Sequence, residues 1–274
     1  MPISVTRVYP RKNFGFDFGL SLTNQLIILN VFFFIVGIFL LNSFGSDFLN
    51  NIAITPTFIL SGKNLWTFIT SMFMHGSFFH IFANMFSLFF IGNFLEKIIG
   101  KKRFFWVYII AGIIGGLFFV ISGILFKNLD ISAVGASGAI FGLLGVLAVL
   151  VPYSKIYLIA GPLILIVVDV VLRQIFPTSL ASSLGFVINI LIFVMIFAIL
   201  SPNPSTRKIA IPIELPMWML PIIAIVPLVI IGYYVDLPIG NSAHIGGLVI
   251  GLFYGFYLKN KFPRKTQRLR RHFS

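Results

Sequence analysis

Gly135-Ala136-Ser137-Gly138-Ala139-Ile140-Phe141-Gly142 and Ala243-His244-Ile245-Gly246-Gly247-Leu248, about a hundred residues apart, each open an apolar run long enough to lie in a bilayer. Polar and ionisable side chains are unfavourable in hydrocarbon and tend to mark function. Here they supply a nucleophile, Ser137, and a base, His244, the two groups that serine-type hydrolysis of a peptide bond requires. The rest of the composition agrees with a membrane setting: mean hydropathy is +1.04, 58% of residues are hydrophobic and only 10% are charged. Backbone polar groups in lipid must pair internally, so long helices are expected. The alternating pattern of an outer-membrane barrel is absent. With no cysteine, neither disulfides nor thiolate chemistry is available.

Apolar segments place spans near 24–42, 78–95, 104–126, 136–151, 156–172, 184–200, 217–234 and 243–258. Residues 1–23 carry Arg7, Arg11 and Lys12 and show no signal-peptide h-region, so the first span is expected to be an uncleaved anchor. With eight alternating spans and a cytoplasmic N-terminus, 17 of the 20 Lys/Arg fall inside, leaving Lys63, Lys127 and Arg173 outside. That bias supports both the count and the orientation, with cytoplasmic N- and C-termini. The net charge of +13 therefore reads as topology. The basic tail 259–274 is expected to meet anionic headgroups. Nucleic acid is not an expected partner, because the tail has no folded reading module.

In this topology Ser137 and His244 begin helices that run the same way, so both lie near the outer ends of their spans. The run 136–151 is short, about 24 Å at 1.5 Å per residue against a core of ~30 Å, so its start can sit below the surface in a pocket open to water. Gly135, Gly138, Gly142 and Gly145 form one small-residue stripe; Ala243, Gly247, Gly251 and Gly255 form another. Such stripes let membrane helices approach closely, as proton transfer between a hydroxyl and an imidazole requires. Either stripe alone reads as a packing seam with an incidental polar residue; together, at matched depth, they read as a catalytic pair. Upstream, His80 and Asn84 are four residues apart on one helical face, and both can donate hydrogen bonds.

These motifs resemble those of rhomboid intramembrane serine proteases, and the resemblance runs from Trp66 to Gly255. It implies a six-helix core in an all-α membrane protein, with Ser137 and His244 as a catalytic dyad and no cofactor or metal. It assigns His80, Asn84 and the Ser137 N–H to an oxyanion hole, where one donor typically contributes about 2.7–4 kcal/mol to the transition state. It gives His75 a structural role in the preceding turn, and it includes Glu96-Lys97-Ile98-Ile99-Gly100, with Glu96 structural. Phe141 stands where many relatives place a tyrosine that stacks on the base, and Trp66-Thr67 stands where a Trp-Arg pair is common. Gly135, Gly138 and Gly247 support the site by close packing.

The interval from Ser137 to His244 is 107 residues, whereas the family core needs only one helix there. Segment 156–200 is therefore read as an inserted helix pair within a transmembrane domain 24–258. Asp169 and Arg173 are spaced for a local ion pair; the alternative is a proton or ion site around Asp169 with Asn189. A His-Glu-x-x-His zinc motif is absent, and so is a second intramembrane aspartate for an aspartyl mechanism. The expected function is an endopeptidase cleaving transmembrane proteins near the outer face, in a multi-pass protein of a prokaryotic plasma membrane. The alternatives are a rhomboid-like pseudoprotease that binds membrane clients and a polytopic transporter; the latter should show internal repeats. Pro221 and Pro227 interrupt the span 217–234, which follows Pro216, and this suggests 217–242 as a gate.

Overall fold

The computed structural model describes residues 20–45, 47–199, 201–234 and 240–273. Helix α1 (Leu22–Phe44) leads through three short helical turns to α2 (Phe78–Ile99), α3 (Lys101–Leu125) and α4 (Ser137–Leu150). A strand β1 (Lys155–Ile159), α5 (Ala160–Ile175), α6 (Thr178–Ile199) and β2 (Pro212–Pro216) follow. Then come α7 (Leu220–Tyr234), α8 (Asn241–Lys261) and α9 (Pro263–Phe273). The helices fall on the eight expected segments. By length and composition, α1, α2, α3 and α6 are long and apolar enough to cross a membrane, and the helices of α4 and α7 are shorter apolar segments.

Helix α4 is the centre: from Gly138 to Leu147 every residue is buried. Helices α3 and α8 hold it through glycines. A Cβ on Gly247 would overlap the Gly138 carbonyl oxygen, and one on Gly251 would overlap that of Gly142. Each contact exists because the residue has no side chain, and close backbone approach is how helices gain dispersion energy where lipid offers no hydrophobic contrast. The third wall, α3, joins the same seam: a Cβ on Gly115 would lie 2.8 Å from the Ala243 carbonyl oxygen and 3.4 Å from the Cα of Gly138.

Two terminal contacts fix the bundle. The buried Glu96 carboxylate accepts hydrogen bonds from the N–H of Leu22 (3.0 Å) and Thr23 (2.8 Å) and from the Thr23 hydroxyl (2.7 Å). It is thus an anionic cap on the positive end of α1. A π-helical turn at Leu88–Gly92 adds a residue between Asn84 and Glu96, so the two halves of α2 present different faces inward. The basic tail is not wholly a free charge run. Helix α9 docks on the bundle: Arg270 donates to the carbonyls of Val149 (2.8 Å) and Leu150 (3.3 Å), Phe273 packs on Phe94 at 5.1 Å, and Thr266 is buried.

The inserted segment differs from the expected pair at its boundaries. Residues 155–159 form a strand antiparallel to 212–216, with Lys155 opposite Pro216 and Ile159 opposite Pro212, and a Lys155–Glu214 ion pair at 2.7 Å. The helix expected from 156 therefore starts at Ala160, placing Pro162 in its first turn, where a missing N–H costs nothing. The expected loop 173–183 reduces to Phe176 and Pro177, because Thr178 to Ser183 continue as the first turns of α6. Asp169 pairs with Arg173 at 2.8 Å, while Asn189 is exposed. Phe193 of α6 packs against Phe78, Phe79 and Phe82 of α2, with ring centroids 5.2–6.1 Å apart.

Candidate active site

Ser137 is the first residue of α4, reached by an extended stretch that is pinned on both sides. Ile54 and Ala133 exchange backbone hydrogen bonds at 3.0 and 2.9 Å, the hydroxyls of Thr55 and Ser132 meet at 2.8 Å, and the N–H of Gly135 donates to the Ser71 carbonyl at 2.8 Å. Gly135 has φ = +130°, a conformation that favours glycine. A Cβ there would also come within 2.8 Å of His80 Cε1 and Nε2, and within 3.8 Å of Asn84 Nδ2. The glycine thus admits both α2 side chains to the entrance of α4. The segment can turn into the helix only through a residue without a side chain.

His244 lies in the first turn of α8 and is buried. Its Nε2 is 2.8 Å from Ser137 Oγ, within the range for direct proton transfer. Phe141, one turn along α4 from Ser137, stacks on the imidazole with centroids 4.5 Å apart and planes at 20°. His244 Nδ1 is buried and meets no hydrogen-bond partner among the described residues. Among the described residues the Ser-His pair therefore has an aromatic support and no carboxylate.

The remaining donors converge from α2. Ser77 caps the helix by accepting from the His80 N–H at 3.1 Å, which fixes where the His80 side chain begins. Asn84 is buried and gives one amide hydrogen to the His80 carbonyl at 3.1 Å; an amide nitrogen carries two, so one is left for another acceptor. His75 stands edge-on to His80 at 5.0 Å, buried in the turn before α2. The first-turn N–H groups of α4, Ser137 among them, have no acceptor within their own helix. A carbonyl oxygen brought to Ser137 would find donors of two kinds, helix-terminal backbone and α2 side chains.

All the expected site residues gather at this end of the bundle except Glu96, which sits at the other end as the cap of α1. Four contributors were not anticipated. Ser71 fixes Gly135. Ala111 and Gly115 of α3 complete the glycine seam, and their four-residue spacing was the visible signal. Ser242 bonds Ser122 across to α3 at 2.8 Å, tying down the start of the His244 helix. Trp66 faces outward, with its Nε1 donating to the Asn51 carbonyl at 2.8 Å.

A family model, the rhomboid domain, matches residues 62–189 and 178–261. Among relatives, the chain is 43% identical over 81 residues to YdcA of Bacillus subtilis, a rhomboid protease by name; the match covers 30% of this chain and 39% of that protein. It is 41% identical over 93 residues to RHOMBOID-like protein 1 of Arabidopsis thaliana, covering 34% of this chain and 23% of the relative. It is 33% identical over 87 residues to the same plant's Inactive RHOMBOID-like protein 8, covering 32% and 23%. The chain thus spans less than half the length of each of these relatives. The family match extends across most of the chain, and its helices have the length and apolarity of a multi-pass membrane protein: the chain belongs to the rhomboid family.

Proposed function

We propose that the protein is an intramembrane serine endopeptidase acting through a Ser137–His244 dyad on transmembrane substrates. One relative is named inactive, so family membership alone does not decide whether bonds are cut. The observation that carries the reading is the 2.8 Å contact between Ser137 Oγ and His244 Nε2 beneath the Phe141 ring. Ser137 Oγ attacks the scissile carbonyl carbon while His244 Nε2 takes its proton. The imidazolium then delivers that proton to the leaving amine, and water hydrolyses the acyl-enzyme by the same steps in reverse order. His80, Asn84 and the Ser137 N–H serve the oxyanion, and Phe141 holds the ring, which no carboxylate among the described residues orients.

The distribution of Lys and Arg supports an outer position for the site end and cytoplasmic termini. Cleavage then occurs near the outer face, within a domain spanning 24–258 to which α5 and α6 are an insertion. Substrate admission belongs to 217–242. Pro227 breaks the ladder of α7, and Pro221 is the only buried residue among its described side chains. Residues 235–239 of that gate lie outside the described residues.

The test is incubation of the purified protein with a reporter transmembrane substrate, beside Ser137→Ala, together with labelling by a fluorophosphonate. Cleavage and labelling that both disappear in Ser137→Ala support the protease. Intact substrate and an unlabelled wild-type protein would favour a client-binding pseudoprotease.

A further inference from the structure

At the end of the bundle opposite Ser137, two adjoining cavities share Lys259 and Arg270. The first is an apolar crevice between α4, α7 and α8, lined by Val149, Trp218, Ile222, Leu252 and Phe256. The second lies under α9 and is lined, besides Pro263, by the polar residues Asn260, Thr266 and Gln267. Along α8 the surface passes from Leu252 through Phe256 to Lys259 and Asn260, a spacing that keeps all four on one helical face. An apolar slot thus opens onto a cationic one across about two helical turns.

Among the described residues the two cations lack a counter-ion. Among the described side chains the carboxylates are committed elsewhere: Glu96 caps α1, Asp130 accepts from Thr57, Asp169 pairs with Arg173 and Glu214 with Lys155. Arg270 spends two of its N–H groups on the carbonyls of Val149 and Leu150. A guanidinium carries five, so three remain. Lys259 Nζ stands 5.7 Å from the Phe256 ring centroid and makes no ion pair among the described residues. Both are partly withdrawn from solvent, where an uncompensated charge is unfavourable.

We propose that this paired cavity binds an anionic glycerophospholipid from the membrane. The phosphate lies between Arg270 and Lys259, the glycerol end meets the polar cavity, and one acyl chain runs along the Trp218–Phe256 crevice. A soluble anion would leave the crevice unfilled, and a zwitterionic lipid would bring its own cation beside Arg270 and Lys259. A phosphodiester of net negative charge carrying a chain satisfies both, and arginine suits phosphate by its fork of donors. Because Arg270 also closes the last turn of α4, the lipid occupies the joint where α4, α7 and α9 meet. This proposal does not depend on the peptidase reading.

Trp218 in the crevice reports occupancy directly. In full-length Trp66→Phe/Trp106→Phe protein, chain-brominated phosphatidylglycerol is expected to quench Trp218 at lower mole fraction than chain-brominated phosphatidylcholine, by roughly fivefold per cation engaged. Lys259→Gln, which touches no helix cap, should remove about one such factor, and Lys259→Gln/Arg270→Gln should abolish the preference. Arg268→Gln/Arg271→Gln, on the exposed face of α9, should keep it, and excess inorganic phosphate should leave it unchanged. Equal quenching by the two lipids overturns the proposal. So does a preference that survives in the Lys259/Arg270 variant, is lost equally in the Arg268/Arg271 variant, or is displaced by phosphate alone.

Discussion

The imidazole of His244 lies face to face with the ring of Phe141, 4.5 Å away and tilted by 20°. From the same helix Ser137 Oγ holds Nε2 at 2.8 Å, while Nδ1 has no partner among the described residues, so the stack is what sets the tilt of the ring. An aromatic pair of this kind is worth about 0.5–1.5 kcal/mol beyond its buried area. Phe141→Leu should therefore lower kcat by roughly two- to tenfold with little change in KM, and slow fluorophosphonate labelling in parallel. Phe141→Tyr keeps the ring and should stay near the parent rate.

Ser137→Ala and His244→Ala should each abolish cleavage, and the double variant should lose little more, because groups acting as one unit are non-additive. Asn84→Ala should reduce kcat by about a hundredfold without eliminating it, since the helix N–H and His80 remain. Kinetics on one reporter substrate across the four proteins decides it. A parent rate in Asn84→Ala removes that residue from the oxyanion hole.

Much of this site was legible because its signals are local. His80 and Asn84 share a face, Ser137 and Phe141 share another, and the glycine stripes repeat every three or four residues. What sequence did not yield depends on partners far along the chain. Residues 156–159 read as the start of an apolar helix, and only their pairing with residues near 214 makes them part of a strand. Thr178 to Ser183 fall between the expected spans 156–172 and 184–200, yet they lie on a helix with mostly exposed side chains. The tail reads as a charge run, although Thr266, Leu269, Arg270 and Phe273 recur at helical spacing and form its docked face. Glu96 was legible as structural, but its task was not, because the amides it caps lie 73 and 74 residues earlier.

Glu96→Gln keeps the size of the cap and removes its charge. With three hydrogen bonds to the start of α1 weakened, stability should fall by about 1–3 kcal/mol, read as a lower midpoint of thermal unfolding in detergent. Activity at low temperature should persist, since the residue lies at the end of α2 away from Ser137. Loss of activity without loss of stability would give Glu96 a role in chemistry instead.

The orientation proposed from the Lys/Arg distribution is testable in a chain with no cysteine of its own. Leu180→Cys, in the first turn of α6, should react with an impermeant maleimide from outside intact cells, and Ser274→Cys only after the membrane is opened. Labelling of position 180 only from the cytoplasm would mean that α5 and α6 do not both cross.

The gate can be separated from the chemistry at the hydrogen bond between Ser122 and Ser242, where the two hydroxyls meet at 2.8 Å at the base of segment 217–242. Two side chains this close lie within reach of a disulfide, whose Cβ atoms stand about 3.5–4.5 Å apart. In oxidised Ser122→Cys/Ser242→Cys the end of the gate is bound covalently to α3. Cleavage of a transmembrane substrate should then slow several-fold and recover on reduction, because a whole helix must pass beside α7 to reach Ser137. Labelling by a small fluorophosphonate should keep its rate in both redox states, since that reagent needs only the aqueous opening and an intact Ser137–His244 contact. If labelling falls together with cleavage, the crosslink has disturbed His244, two residues further along α8. If a verified crosslink leaves both rates unchanged, substrate does not pass this segment, and the gate lies elsewhere on the bundle.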